Sequence, residues 1–180
     1  MEQMNDLMAL LRHDLQMLTS TEEQIIDALP DMIDAASSPQ LKSALNEHLN
    51  VSKRHVQRLN DILNILDEDA SQSKSILGGL IDGHRCKATE GIIDAGSKIL
   101  NADMPAEVKD AAIVGAAQKI EHFEIASYGT VRTYAQQLGM PEVSDMLQQT
   151  LDEEYLADQE LTGLANQKIN KQATSGSTVM

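Results

Sequence analysis

Residues 118–130 read QKIEHFEIASYGT, with Glu121 and Glu124 three apart inside an otherwise apolar, small-residue run. A helix advances roughly 100° per residue. On a helical face marked by Ile113, Ala117, Ile120, Tyr128, Val131 and Ala135, both glutamates fall within about 40° of the centre, whereas His122 falls at roughly 140°. Acidic groups therefore stand where the pattern calls for core residues. The same arithmetic places Glu22 between Leu18 and Ile25, at the middle of an N-terminal stripe, with Glu23 well off it. Towards the C-terminus Leu147, Leu151, Leu161 and Ala165 enclose Glu154 and Asp158, and on a further helix His48, Ser52 and His55 take three successive stripe positions.

The stripes belong to an all-α chain. Its 180 residues favour one domain and allow a real core. Aromatic content is 2%, with no Trp and one Phe, a mix that suits helix-on-helix packing rather than a β-sandwich. A first helix is expected over about 3–36, with a break or restart near Ser20 and a kink at Pro30. SSPQ at 37–40 reads as a turn, with Ser37 or Ser38 as the next N-cap. The second helix is expected over about 39–67, after which DEDASQSKS breaks the pattern and GGLIDG marks a short turn or loop. A short third helix (about 84–101) precedes a fourth (about 105–138), which ends at LGMPEV with Gly139 as C-cap, and a fifth reaches about 168. Two long helical hairpins joined by a crossover containing the short helix give a ferritin-like, up-down four-helix bundle over 1–168. The polar residues 169–180 read as a disordered tail.

Composition also narrows function. A net charge of -14 argues against nucleic-acid binding and against a basic membrane-surface helix. No apolar run approaches the ~20 residues of a membrane span. The N-terminus lacks the features of a signal peptide. The lone Cys86 excludes an intramolecular disulfide and reads as a small buried hydrophobe. The expected location is cytoplasmic.

Each of the four long helices thus turns at least one ionisable group towards the others. A single Glu on a stripe often just reaches solvent, and a lone His among leucines is commonly a hydrogen-bonded core residue. Coincidence across four helices is harder to account for that way. Buried carboxylates are costly unless paired or metal-bound, and like charges at close range oppose one another's ionisation. A dinuclear iron or manganese centre resolves the conflict, since bundle sites of this kind use inward glutamates with Glu-x-x-His pairs.

TEEQIIDALP, LKSALNEHL, AAQKIEHFEIASYGT, AQQLG and LDEEYLADQELT, in that order over about residues 5–167, closely resemble the YciE/YciF-like family of ferritin-like bacterial stress proteins, otherwise a domain of unknown function. The resemblance implies a ferritin-like bundle, often homodimeric, with a di-iron or related centre and induction under stress. Carried over by position, Glu22, Glu121, Glu124, Glu154 and Asp158 match the family's acidic positions, and His55 joins them as a metal ligand. The second helix departs: relatives typically read EHLEET where this chain reads EHLNVS, leaving Asn50, Val51 and Ser52. Ser52 stands where a Glu would complete Glu-x-x-His with His55, so one metal position is expected to be weaker, with His48 and His55 as the candidate compensating ligands. Thr89 replaces a frequent Met. Two functions follow as expectations. One is a dinuclear metal protein reacting with dioxygen or peroxide, with Tyr128 as a core aromatic or electron relay; the other is a non-enzymatic stress or interaction bundle whose site is partly or wholly lost. Nothing points to an iron-storage shell.

Overall fold

The structure, a computed structural model, describes residues 4–72 and 85–175. Five main helices follow one another: α1 (Leu7–Ala35), α2 (Pro39–Gln72), α3 (Lys87–Leu100), α4 (Ala106–Gln137) and α5 (Pro141–Leu164). A π-helical turn (Ala165–Ile169) and a short α6 (Asn170–Ser175) complete the path. No strand occurs among the described residues. α1 packs against α2 and α4, and α5 against α4 and α2, so the long helices run α1–α2–α5–α4 around the bundle axis. α3 lies on the α1–α4 pair. It sits close to α4, where a Cβ added at Gly96 would come within 3.4 Å of Ala116 Cβ.

The helix ends follow from local chemistry. Asp6 caps α1, its carboxylate accepting from the Ala9 N–H at 2.8 Å. α1 is unbroken at Ser20 and carries Pro30 within it. Ser38 caps α2, its hydroxyl accepting from the Leu41 N–H at 3.4 Å. α4 ends at Gly139, with φ of 72°. There the Met140 N–H bonds the Ala135 carbonyl and the Gly139 N–H bonds that of Gln136, each near 3.0 Å. That is the Schellman pattern, and it needs the left-handed conformation glycine adopts freely. Pro141 then opens α5.

Two helices run further than the sequence reading placed them. α2 continues past Asp67 to Gln72, so the polar DEDASQ segment extends the helix; GGLIDG lies outside the described residues. Beyond 168 the chain stays helical to Ser175, and residues 176–180 lie outside the described residues. Leu161, Ala165 and Ile169 are all buried. On a regular helix this four-residue spacing drifts about 40° per step. The wider π turn takes up that drift and keeps Ile169 on the core.

The core is two apolar blocks. One joins Ile25, Leu29, Leu41, Leu45, Ile113 and Leu161; the other joins Leu11, Leu15, Leu59, Ile62, Val131 and Leu147. Between them, at mid-height on all four long helices, lie the buried polar residues Glu22, His48, Ser52, His55, Glu121, Glu124 and Glu154.

Asp110 of α4 ties the two hairpins together at one end. Its carboxylate accepts from the Ser37 N–H and hydroxyl, each at 2.7 Å, and from the Ser38 N–H at 2.9 Å. Asp110→Ala removes these acceptors from a buried turn and is expected to cost about 2–4 kcal/mol of stability in urea denaturation.

Candidate metal centre

The mid-height belt is assembled by stripe geometry. Glu22 comes from α1, His48, Ser52 and His55 from α2, Glu121 and Glu124 from α4, and Glu154 from α5. Glu22, His55, Glu121 and Glu124 have no solvent exposure, Glu154 is 1% exposed and His48 7%. Two groups in the belt can each hold a metal ion. His48, Glu121, Glu124 and Glu154 form one; Glu22, His55 and Glu154 form the other; within each, the ligand atoms lie within 4.8 Å of one another. Glu154 belongs to both.

The protons explain how the belt stays folded without added charge. His48 Nδ1 lies 2.9 Å from Glu121 Oε1. Burial alone would lower its pKa, but Glu121, Glu154 and Glu22 outweigh that and raise it to about 9. His55 Nδ1 lies 3.1 Å from Glu22 Oε1 and 2.9 Å from Glu154 Oε1. Here too burial is outweighed by these carboxylates, and the pKa is raised to about 10. Glu154 is pushed up to about 8 by burial, against the His55 bond and with Glu22 and Glu121 adding repulsion. Burial and the neighbouring Glu154, Glu22 and Glu121 push Glu124 well above the ordinary range. Tyr128, fully buried, donates to Glu22 Oε1 at 2.6 Å, and burial beside Glu22 and Glu124 keeps it a phenol.

Even so, acceptors are left over. Glu22 Oε2 and both oxygens of Glu124 are buried with no hydrogen-bond partner, as are His48 Nε2 and Ser52 Oγ. Glu121 and Glu154 face their histidines at ion-pair distance, yet neither Glu121 oxygen nor Glu154 Oε1 has a well-aligned hydrogen bond. Buried acceptors without donors are costly in a purely structural core. Oxygen and imidazole donors converging from four helices fit a hard or borderline divalent metal.

Asp158 stands apart. Its carboxylate accepts from Gln118 Nε2 at 3.1 Å, lies 3.9 Å from His122 Nε2 and is partly exposed on the α4–α5 seam; it belongs to neither group. His122 is exposed, as its angle predicts. Thr89 and Thr21 hydrogen-bond to each other at 2.8 Å, joining α3 to α1. The sequence reading passed over Glu153, which lies off the stripe. Glu153 Oε2 is 2.8 Å from His55 Nε2 and 2.9 Å from Arg58 NH1. A carboxylate behind an imidazole fixes its orientation and leaves the other ring nitrogen to face a metal.

Residues 6–174 match the family described as a domain of unknown function, DUF892. The chain belongs to this family. It is 37% identical to protein YciF of Escherichia coli strain K12 over 161 residues, covering 89% of this chain and 91% of YciF. The crystal structure of that E. coli stress protein is similar, with a TM-score of 0.81 at 35% identity, covering 93% of this chain and 99% of that one. YcfI from Rhodopseudomonas palustris is similar at 0.79 and 32% identity, covering 89% and 96%. The ferritin-like bundle read from the sequence is therefore the fold shared with YciF.

His48, His55, Glu124 and Glu154 all hold protons to higher pH in the folded chain than in the unfolded one. Each stabilises the fold below its unfolded pKa, and that contribution is lost as pH rises towards the folded value. The metal-free protein should therefore lose melting temperature steadily from about pH 5 to about pH 10. Scanning calorimetry after chelation checks this; a flat profile contradicts the assignment.

Proposed function

We propose that the chain is a stress-linked ferritin-like protein whose belt holds two iron or manganese ions. One position uses His48, Glu121 and Glu124, the other uses Glu22 and His55, and Glu154 is shared. The observation that carries the reading is Glu124: a fully buried carboxylate with no donor to either oxygen, facing three more carboxylates. Such ions, when bound, give or take electrons with dioxygen or peroxide. The chain's own part is to hold the ligands and exclude bulk water. Tyr128 holds Glu22 by one oxygen, leaving the other free to ligate. Glu153 and Arg58 hold the far side of the His55 ring. Unlike the usual pattern of Glu-x-x-His on two helices, both imidazoles come from α2. The Glu22–His55 position, with three ligands against four, is the weaker.

By its family resemblance the protein works as a homodimer in the cytoplasm, which sedimentation and cell fractionation test. The second reading, a metal-free interaction bundle, draws on the two histidines, which neutralise part of the belt without metal. Elemental analysis separates the two. Protein from metal-supplemented cells is expected to carry up to about two ions per chain. Glu124→Gln, which copies the protonated carboxyl, should lose most of that metal while changing metal-free stability by less than about 1 kcal/mol. Wild-type protein without iron or manganese supports the metal-free bundle.

A further inference from the structure

The belt is sealed above and below by the two apolar blocks, so anything reaching it must pass between helices. A cleft of about 250 Å³ between α2 and α5 does this: His48, Glu121 and Glu154 line it together with Val51, Leu156 and Glu160. The first three are almost wholly buried and form its floor, whereas Leu156 is 64% exposed and marks its mouth. His48 Nε2, both Glu121 oxygens and Glu154 Oε1, buried atoms without a well-aligned hydrogen bond, belong to residues of that floor; Glu121 Oε1 and Glu154 Oε1 each face a histidine Nδ1 at 2.9 Å. A second cavity of about 330 Å³ opens between α1 and α4, but none of the belt's ligand residues lines it.

From the floor atoms and the charge at the mouth, we infer that divalent metal ions enter the belt through the α2–α5 cleft. Glu47 and Glu160 line its outer part with Arg54, whose guanidinium is 3.9 Å from Glu47, while Glu153 is paired with Arg58 at 2.9 Å and His48 lies on the floor beside Glu121. Together with a net charge of -14, this gives a mouth that attracts cations and repels anions. His48 lies at the inner end, its Nε2 without a hydrogen bond and 3.9 Å from Glu124 Oε2, so the group it shares with Glu121, Glu124 and Glu154 is met first. An ion destined for Glu22 and His55 then passes by way of Glu154, the ligand common to both groups.

The inference rests on the metal reading above, and its test separates the two. Metal-free, full-length protein is mixed with Mn²⁺, and uptake is followed by loss of the free-ion electron paramagnetic resonance signal. Leu156→Trp at the exposed mouth, and Val51→Trp deeper in, should slow uptake about tenfold or more with final Mn²⁺ content unchanged. Glu47→Gln with Glu160→Gln should slow it several-fold at low salt and flatten its dependence on ionic strength. Thr130→Trp, at the exposed rim of the other cavity, should load like wild type. Wild type that loads while Leu156→Trp loads equally fast overturns the route alone, as does slowing confined to Thr130→Trp. Wild type that takes up no Mn²⁺ overturns the metal reading and the route with it.

Discussion

Four carboxylates from three helices, buried at one level of a bundle, are the constraint around which the rest of the chain is arranged. Glu22, Glu121, Glu124 and Glu154 cannot all be ionised in a dry core without compensation. Leucine-rich blocks above and below keep water away and hold the helices in register, which fixes the carboxylates within reach of one another. Those blocks carry the stability of the fold and the belt carries its chemistry, on different turns of the same helices.

Compensation has two available forms in this geometry. The histidines can be doubly protonated, each facing glutamate oxygens at about 3 Å, while Glu124 and Glu154 keep protons of their own. In the metal-bound form proposed above, two divalent ions would bring four positive charges to four carboxylates and would need the imidazoles neutral. Both arrangements approach electroneutrality with the same side chains, so on the proposed reading metal and protons would compete for the belt. His55 expresses the competition most directly: the Nδ1 that points at Glu22 and Glu154 is either a proton donor to them or a ligand beside them.

Helical periodicity made the bundle and most of the belt legible, because a glutamate at the centre of a leucine stripe has nowhere to point but inward. Glu22, His55, Glu121, Glu124 and Glu154 meet for that reason. The reading failed where contacts between helices decide. Asp158 lies on the same stripe as Glu154, one turn on, but its carboxylate accepts from Gln118 of α4 at the α4–α5 seam and joins neither group of ligands. Glu153 precedes Glu154 by one residue and looks solvated along its own helix. Its role depends on His55 and Arg58 across the α2–α5 interface, which no single-helix pattern contains. The long α2 and the π turn escaped for a related reason, since polar composition argued for an end where the chain stays helical.

The EHLNVS segment of α2, where the family resemblance implies EHLEET, distributes its side chains over three surroundings. Ser52 faces the belt, fully buried with its hydroxyl unpartnered between His48 and His55. Val51, one residue earlier and about 100° around the helix, lines the entry cleft instead. Asn50 is exposed. EHLNVS in place of EHLEET thus keeps a small hydroxyl residue on the interior, Ser for Thr, and puts neutral side chains where the resemblance gives acidic ones on the surface and the cleft wall, with His48 kept. Glu153 orients His55 from outside the belt, a carboxylate acting through the ring. The belt is thus asymmetric by construction, with His48 at the inner end of the cleft and His55 on the far side of Glu154, bonded to Glu153.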